Sequence, residues 1–100
     1  MTDSDFAFRI EHETRGQKGA FFIRQDGKRL AELTYTSSPG VTILDHTEVS
    51  DALRGSGAGR RLVAEAVRWA REEKRKLLPL CPFAKSVFDK TPGYADVLKA

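Results

Sequence analysis

Apolar and polar residues alternate through the first half of the chain. Phe6, Phe8 and Ile10 are interleaved with Ala7, Arg9 and Glu11, a period of two that predicts a half-buried strand. Residues 19–25 contain Phe21-Phe22-Ile23, and Asp26-Gly27 then separates them from a second run at 28–36. An Asp-Gly pair between such runs is a strong tight-hairpin signal, so the second and third strands are expected to be antiparallel neighbours. Ser37-Ser38-Pro39-Gly40 breaks the pattern, and Val41-Thr42-Ile43-Leu44 opens a fourth strand reaching Val49. A four-stranded meander is the expectation for this half.

After Val49 the period changes. Leu62, Val63, Ala66, Val67 and Ala70 recur at spacings of three and four, with Glu65, Arg68, Glu72 and Glu73 between them. That pattern predicts an amphipathic helix over residues 57 to about 74, and Trp69 widens its apolar face. The short apolar stretch 76–81 suits a fifth strand, in which Pro79 must avoid a ladder bond. A right-handed crossover would lay this strand parallel to an earlier one, with the fourth the expected neighbour. Phe83 with Val87, and Ala84 with Phe88, stand at helical spacing before Thr91-Pro92-Gly93, so a short helix is expected to close the fold. The predicted class is α/β of the α+β kind: a mainly antiparallel mixed sheet with one long and one short helix.

Composition narrows the possibilities. A chain of 100 residues is expected to form one domain, residues 1–100, because two would each be too small to offset conformational entropy without disulfides or metals. Its hydrophobic content of 40% is too high for a disordered chain. Cys81 is the lone cysteine, so a disulfide scaffold is excluded and a reducing compartment fits. The acidic start Met1-Thr2-Asp3-Ser4-Asp5 lacks the basic region of a signal peptide, and no apolar run approaches a membrane span. A cytoplasmic protein with no membrane partner is expected, and a monomer. Charge is uneven: residues 54–76 hold eight basic and three acidic residues, a local +5 that leaves −2 for the remainder. Such a segment attracts anions without saying which, and a solvated helix face is the plain alternative.

The sharpest local signal is Arg54-Gly55-Ser56-Gly57-Ala58-Gly59, directly before the predicted long helix. Glycines remove the Cβ atoms that would hold a bulky anion away, and the first amides of a helix have no intrahelical acceptors. The helix dipole reinforces the attraction for phosphate. A tight strand-to-helix connection without ligand remains the alternative. No Gly-Lys-Ser/Thr ends this loop, and its glycine spacing is not that of a dinucleotide fingerprint.

Arg54-x-x-Gly57-x-Gly59 resembles the cofactor loop of the GNAT superfamily of N-acetyltransferases. The stretch from His46-Thr47-Glu48-Val49 through Cys81-Pro82-Phe83 is similar to its smallest branch, single domains of about this length, and the likeness runs from 19 to 98. The resemblance implies parallel fourth and fifth strands that splay apart to admit the pantetheine arm of acetyl-coenzyme A. It implies that Val49 would offer backbone hydrogen bonds to that arm, that Arg54, Gly55, Ser56, Gly57, Ala58 and Gly59 would hold the pyrophosphate, and that Arg60 or Arg61 would meet outlying phosphate charge. Acetyl transfer to an unidentified amine is the implied activity.

Two departures bear on mechanism. Larger relatives carry acceptor-binding helices between their first two strands, where this chain has only Glu13-Thr14-Arg15-Gly16-Gln17-Lys18. The family's Ala-x-x-x-Tyr, whose tyrosine can protonate the departing thiolate, is here Ala84-Lys85-Ser86-Val87-Phe88. Other candidates must then do the chemistry. His46 and Glu48, two apart on an extended strand, share a face and could relay an amine proton, unless a bulge alters the alternation. Cys81, where the resembling branch has a cysteine, could accept the acyl group or protonate the leaving thiolate, although free cysteines also pack as small hydrophobes. Two other functions stay open: an acyl-coenzyme A-binding module without turnover, and a small basic nucleic-acid-binding domain, for which no reading motif is present.

Overall fold

The Asp26-Gly27 turn forms as its sequence predicts, with positive φ at both residues, 53° and 79°. In the computed structural model, which describes residues 8–99, it joins β2 (Lys18–Gln25) to β3 (Lys28–Ser38). A second tight turn at Gly16-Gln17 joins β1 (Ile10–Arg15) to β2, with register from Ile10↔Ile23 to Arg15↔Lys18. Here the expectation is corrected. Phe8 is buried but precedes the strand, Phe6 lies outside the described residues, and β1 is built from the polar run that follows. Pairing to β2 decides this, and His12 alternates inward against Phe21 while Glu11 and Glu13 point the other way.

The sheet runs in order β1-β2-β3-β4-β5, with β4 at Val41–Val49 and β5 at Lys76–Pro79. All neighbours are antiparallel except β4 and β5. That parallel pair extends only from Val41↔Lys76 to Leu44↔Pro79. The amides of Leu80 and Cys81 both donate to the carbonyl of Leu44, at 3.1 and 3.2 Å, and the strands part there. Cys81 is therefore not in the fifth strand, as its sequence suggested, but just beyond it.

Between the parallel strands runs α1 (Ala58–Glu73). Its buried stripe, Leu62, Val63, Ala66, Val67 and Ala70, packs in one core with Phe21, Leu33, Tyr35 and Leu44. Each large apolar side chain so buried contributes roughly 1.5–3 kcal/mol. The helix stops at Lys74, in the left-handed region at φ 56°, where the amide of Arg75 returns to the carbonyl of Ala70 at 2.9 Å. A second helix, α2 (Pro82–Lys90), buries Ala84, Val87 and Phe88. A 3-10 turn at Pro92–Val97 follows, and the Lys99 amide reaches the Leu77 carbonyl at 2.8 Å, covering the outer edge of β5. No helix among the described residues is long and apolar enough to cross a membrane.

Candidate active site

The glycine loop enters α1 through two left-handed turns. Gly55 and Gly57 have φ of 81° and 88°, and a Cβ at either would meet nothing within 4 Å. Glycine serves the backbone at both positions, since L side chains resist that region. Ser56 ties the loop to itself: its hydroxyl donates to the carbonyl of Leu53 and accepts from the amide of Ala58 at 3.3 Å. Gly59 differs. It is buried in the first turn, and a Cβ there would fall 2.7 Å from the Phe83 ring. Its small size admits an aromatic neighbour.

No side chain caps α1, and no acceptor among the described residues takes the amides of Gly57, Gly59 or Arg60. These are orphan donors at the positive end of a sixteen-residue helix. They open onto a pocket of about 570 Å³ lined by Thr47, Val49, Leu53, Arg54, Gly55, Gly57, Ala58, Gly59, Arg60 and Phe83. Arg54 stands exposed at its edge, 3.1 Å from Asp51. Arg61 is not among the lining residues, and its Nε is buried without a partner among the described residues. Donors, room and a cationic rim suit a pyrophosphate. A smaller pocket, about 340 Å³, lies at the ends of β3 and β4 against Arg29, Glu32 and Glu48; it lacks the helix terminus.

The same pocket continues along β4. The Ser50 amide donates to the Leu30 carbonyl at 2.7 Å, which sets the phase of the antiparallel ladder. Glu48 and His46, opposite Glu32 and Thr34, then turn their backbone groups toward β3, while Thr47 and Val49 turn theirs toward the gap left by β5. Sequence reasoning singled out Val49 and missed Thr47, Leu53 and Phe83. Alternation along the strand was the available signal for Thr47, since it shares the Val49 side; Phe83 is brought in only by the packing of α2 against α1.

Cys81 lies behind Thr47 and is not itself part of the pocket lining. Buried at 5% exposure, it precedes α2, whose first residue, Pro82, has no amide to offer. Its Sγ lies 3.3 Å from the Thr47 hydroxyl. Burial pushes the thiol pKa up, but the Thr47 hydroxyl and the amides of Ala84, Phe83 and Thr47 together outweigh burial and hold it below the usual cysteine range. No formal side-chain cap forms; the nearby first-turn dipoles still favour a charged sulfur. Phe88, at the place of the family tyrosine, is buried edge-on to Tyr94 with ring centroids 5.6 Å apart. Tyr94 does not line the pocket.

His46 and Glu48 share a face, as their spacing requires, with His46 Nε2 3.9 Å from Glu48 Oε2 and both side chains exposed. A bulge is present, but it falls between the Thr34↔His46 and Tyr35↔Leu44 pairs, with Asp45 as the extra residue. Residues 46–49 therefore keep regular alternation. Thr47 and Val49 face the glycine loop, and His46 and Glu48 face the other side of the sheet.

A family model described as GCN5-related N-acetyl-transferase matches residues 20–97. The solution structure of a GCN5-like protein from Staphylococcus aureus is 36% identical, with 90% of this chain and 88% of that one covered and a TM-score of 0.70. Ribosomal-protein-alanine N-acetyltransferase from Brucella melitensis biovar Abortus has the same fold at 22% identity, TM-score 0.60, covering 86% of this chain and 64% of that one. An aminoglycoside N-acetyltransferase solved in complex with CoA has the fold at 16% identity, TM-score 0.55, over 74% of this chain and 66% of that one. No curated protein sequence matches the chain.

Proposed function

Because this chain belongs to the GCN5-related N-acetyltransferase family, we propose that it moves an acetyl group from acetyl-coenzyme A to an amine. The observation that carries this reading is the continuity of one pocket from the orphan amides of Gly57, Gly59 and Arg60 to Thr47, the partner of Cys81. In it the loop from Arg54 to Gly59 holds the pyrophosphate, and of Arg60 and Arg61 it is Arg60, at the pocket wall, that supplies outlying positive charge. The outward backbone groups of Val49 hold the pantetheine amides. The donor supplies an acyl thioester.

Cys81 is the residue at which the acyl group changes hands. Its lowered pKa favours the thiolate form, which attacks the acyl carbon; the new C–S bond forms as the bond to the coenzyme sulfur breaks, and the coenzyme leaves as thiolate. A neutral amine then attacks the Cys81 thioester, its C–N bond forms, and Cys81 is released as thiolate. The amine gives up one proton, for which His46, with Glu48 beside it on the same exposed face, is the base on the acceptor side. Both lie on the sheet face opposite the donor loop, so donor and acceptor approach from opposite sides.

The test is intact-mass measurement after mixing with acetyl-coenzyme A alone, followed by addition of amines. A transient acetyl adduct on Cys81, absent from Cys81→Ala, supports the covalent route. Turnover without an adduct in a rapid quench assigns Cys81 to proton donation, and full activity of folded Cys81→Ala removes it from the chemistry. Binding of coenzyme A with no thioester loss under any amine would make the chain a binding module instead.

A further inference from the structure

The face of the sheet away from α1 carries a second groove, about 560 Å³, whose lining includes Arg15, Lys18, Thr36 and Asp45. No helix of the described residues lies on it: the helix-side positions are Phe21 and Tyr35, which pack on Trp69 of α1, and Leu33 in the same core. The β1–β2 connection is the two-residue turn Gly16-Gln17, so nothing between those strands covers this face. The Asp45 bulge places its carboxylate in the groove, where Oδ2 accepts from the Thr36 hydroxyl at 2.7 Å. Asp45 also follows Leu44, whose carbonyl makes the last link between β4 and β5. The Asp45 end of the groove therefore lies next in sequence to that last link, with the carboxylate turned toward β3.

Charge is arranged in a row across the strands. Thr36 pairs with Lys18 and Lys18 with Arg15, so anion, hydroxyl and two cations occupy successive strands. At a strand spacing of about 4.8 Å, the Asp45 and Lys18 backbones stand roughly 10 Å apart, and the long Lys and Arg side chains can shorten that distance. Among the described residues neither Arg15 nor Lys18 has an ion-pair partner, whereas Arg29 in the same groove is engaged by Glu13 and Glu32. The groove's lining holds three cations, Arg15, Lys18 and Arg29, against two carboxylates, Glu13 and Asp45, and this positive excess disfavours a polycationic acceptor, which would place a second positive charge on Lys18 and Arg15.

We propose that this groove binds the acceptor and selects small amphoteric amines, taking the primary amine on Asp45 and an anionic group, carboxylate or phosphate, on Lys18 and Arg15. The inference rests on the acetyl-transfer reading for its role, but binding tests it separately. In the intact protein without donor, 5-aminopentanoate, 2-aminoethyl phosphate, pentylamine and 1,5-diaminopentane are titrated while backbone amide shifts are followed by NMR. Either amphoteric compound should move the amides of Thr36, Asp45 and Lys18 and bind about fivefold more tightly than pentylamine, the size expected for an exposed charge pair; the tighter of the two identifies the anion. Arg15→Ala/Lys18→Ala should abolish that preference. With acetyl-coenzyme A present, the same compounds should show the preference in KM rather than kcat. Equal or tighter binding of pentylamine or the diamine, or shifts confined to residues away from the groove, overturns the inference. Groove binding without thioester loss would leave the site standing and overturn the transfer reading.

Discussion

The Phe83 ring occupies the space that a side chain at Gly59 would need. Its Cζ lies 2.7 Å from the position of an added Cβ, so the first turn of α1 and the start of α2 touch through a missing methyl group. Both residues line the pocket at the start of α1. Gly59→Ala should cost about 1–3 kcal/mol as an overpacked contact and weaken coenzyme A by displacing the ring. Phe83→Leu in the same chain should restore most of the stability, as denaturant melts of the two singles and the double would read. Additive losses would show that the residues do not meet.

Gly57 lends itself to a cleaner separation of fold from ligand. Its φ is 88° and the space beyond its Cα is open, so asparagine, which tolerates the left-handed region, should retain the fold with a loss of about 1 kcal/mol or less. The added side chain would nevertheless stand beside the orphan amides. Calorimetric titration of Gly57→Asn should show coenzyme A weakened about tenfold, the loss expected when helix-terminal donors are screened from phosphate. Unchanged affinity would exclude the amides from phosphate binding.

Arg54 is 3.1 Å from Asp51, and both are exposed. If the loop holds the pyrophosphate as proposed, the carboxylate competes with it for the same guanidinium. Asp51→Asn should tighten coenzyme A by about twofold to threefold at low salt and by less at high salt, while Arg54→Ala should weaken it with the same salt dependence. Salt-independent effects in isothermal titration would assign the pair a structural role.

Cys81 should react with iodoacetamide at a lower pH than an ordinary cysteine, because its thiolate is favoured in the fold. Thr47→Val removes the hydroxyl 3.3 Å from the sulfur, so the midpoint of the alkylation rate against pH should move upward. Since the folded pKa is depressed, the ionised thiol stabilises the fold above the unfolded pKa, and that contribution is lost as pH falls through the folded value. A midpoint unmoved in folded Thr47→Val would remove Thr47 from control of the thiol.

His12 gives a second pH signature. Burial lowers its pKa, with opposing contributions from Glu65 and Glu73 and a further lowering from Arg68; its Nε2 also bonds the Tyr35 hydroxyl. The ring is partly exposed, stacked on Phe21 at 4.1 Å. A depressed histidine favours the neutral fold, so stability should be greatest above the unfolded pKa, near 6.5, and decline as pH falls through the lower folded value. Melting temperature between pH 7.5 and 5 should fall less for His12→Gln than for the parent chain. Parallel curves would show that His12 does not titrate in this window.

The periods of the sequence determined what local physics can determine. Alternation and the Asp26-Gly27 turn specified the antiparallel strands β2 to β4, the stripe from Leu62 to Ala70 specified α1, and the glycines before it marked the tight turns that lead into it, because turns and helix ends are set by neighbours along the chain. Tertiary structure decided the rest. β1 begins at Ile10, past Phe8, because pairing with β2 carries the strand on into the polar run that follows. Gly59 is small for the sake of Phe83, a residue distant in sequence. The Asp45 bulge, which puts Leu44 and His46 on opposite faces although they are two residues apart, depends on register against β3. The gap between β4 and β5 opens where Leu80 and Cys81 both turn to one carbonyl of Leu44. These are relations between segments, and pairing of non-neighbouring backbone is an energy of the whole sheet that no local window of residues contains.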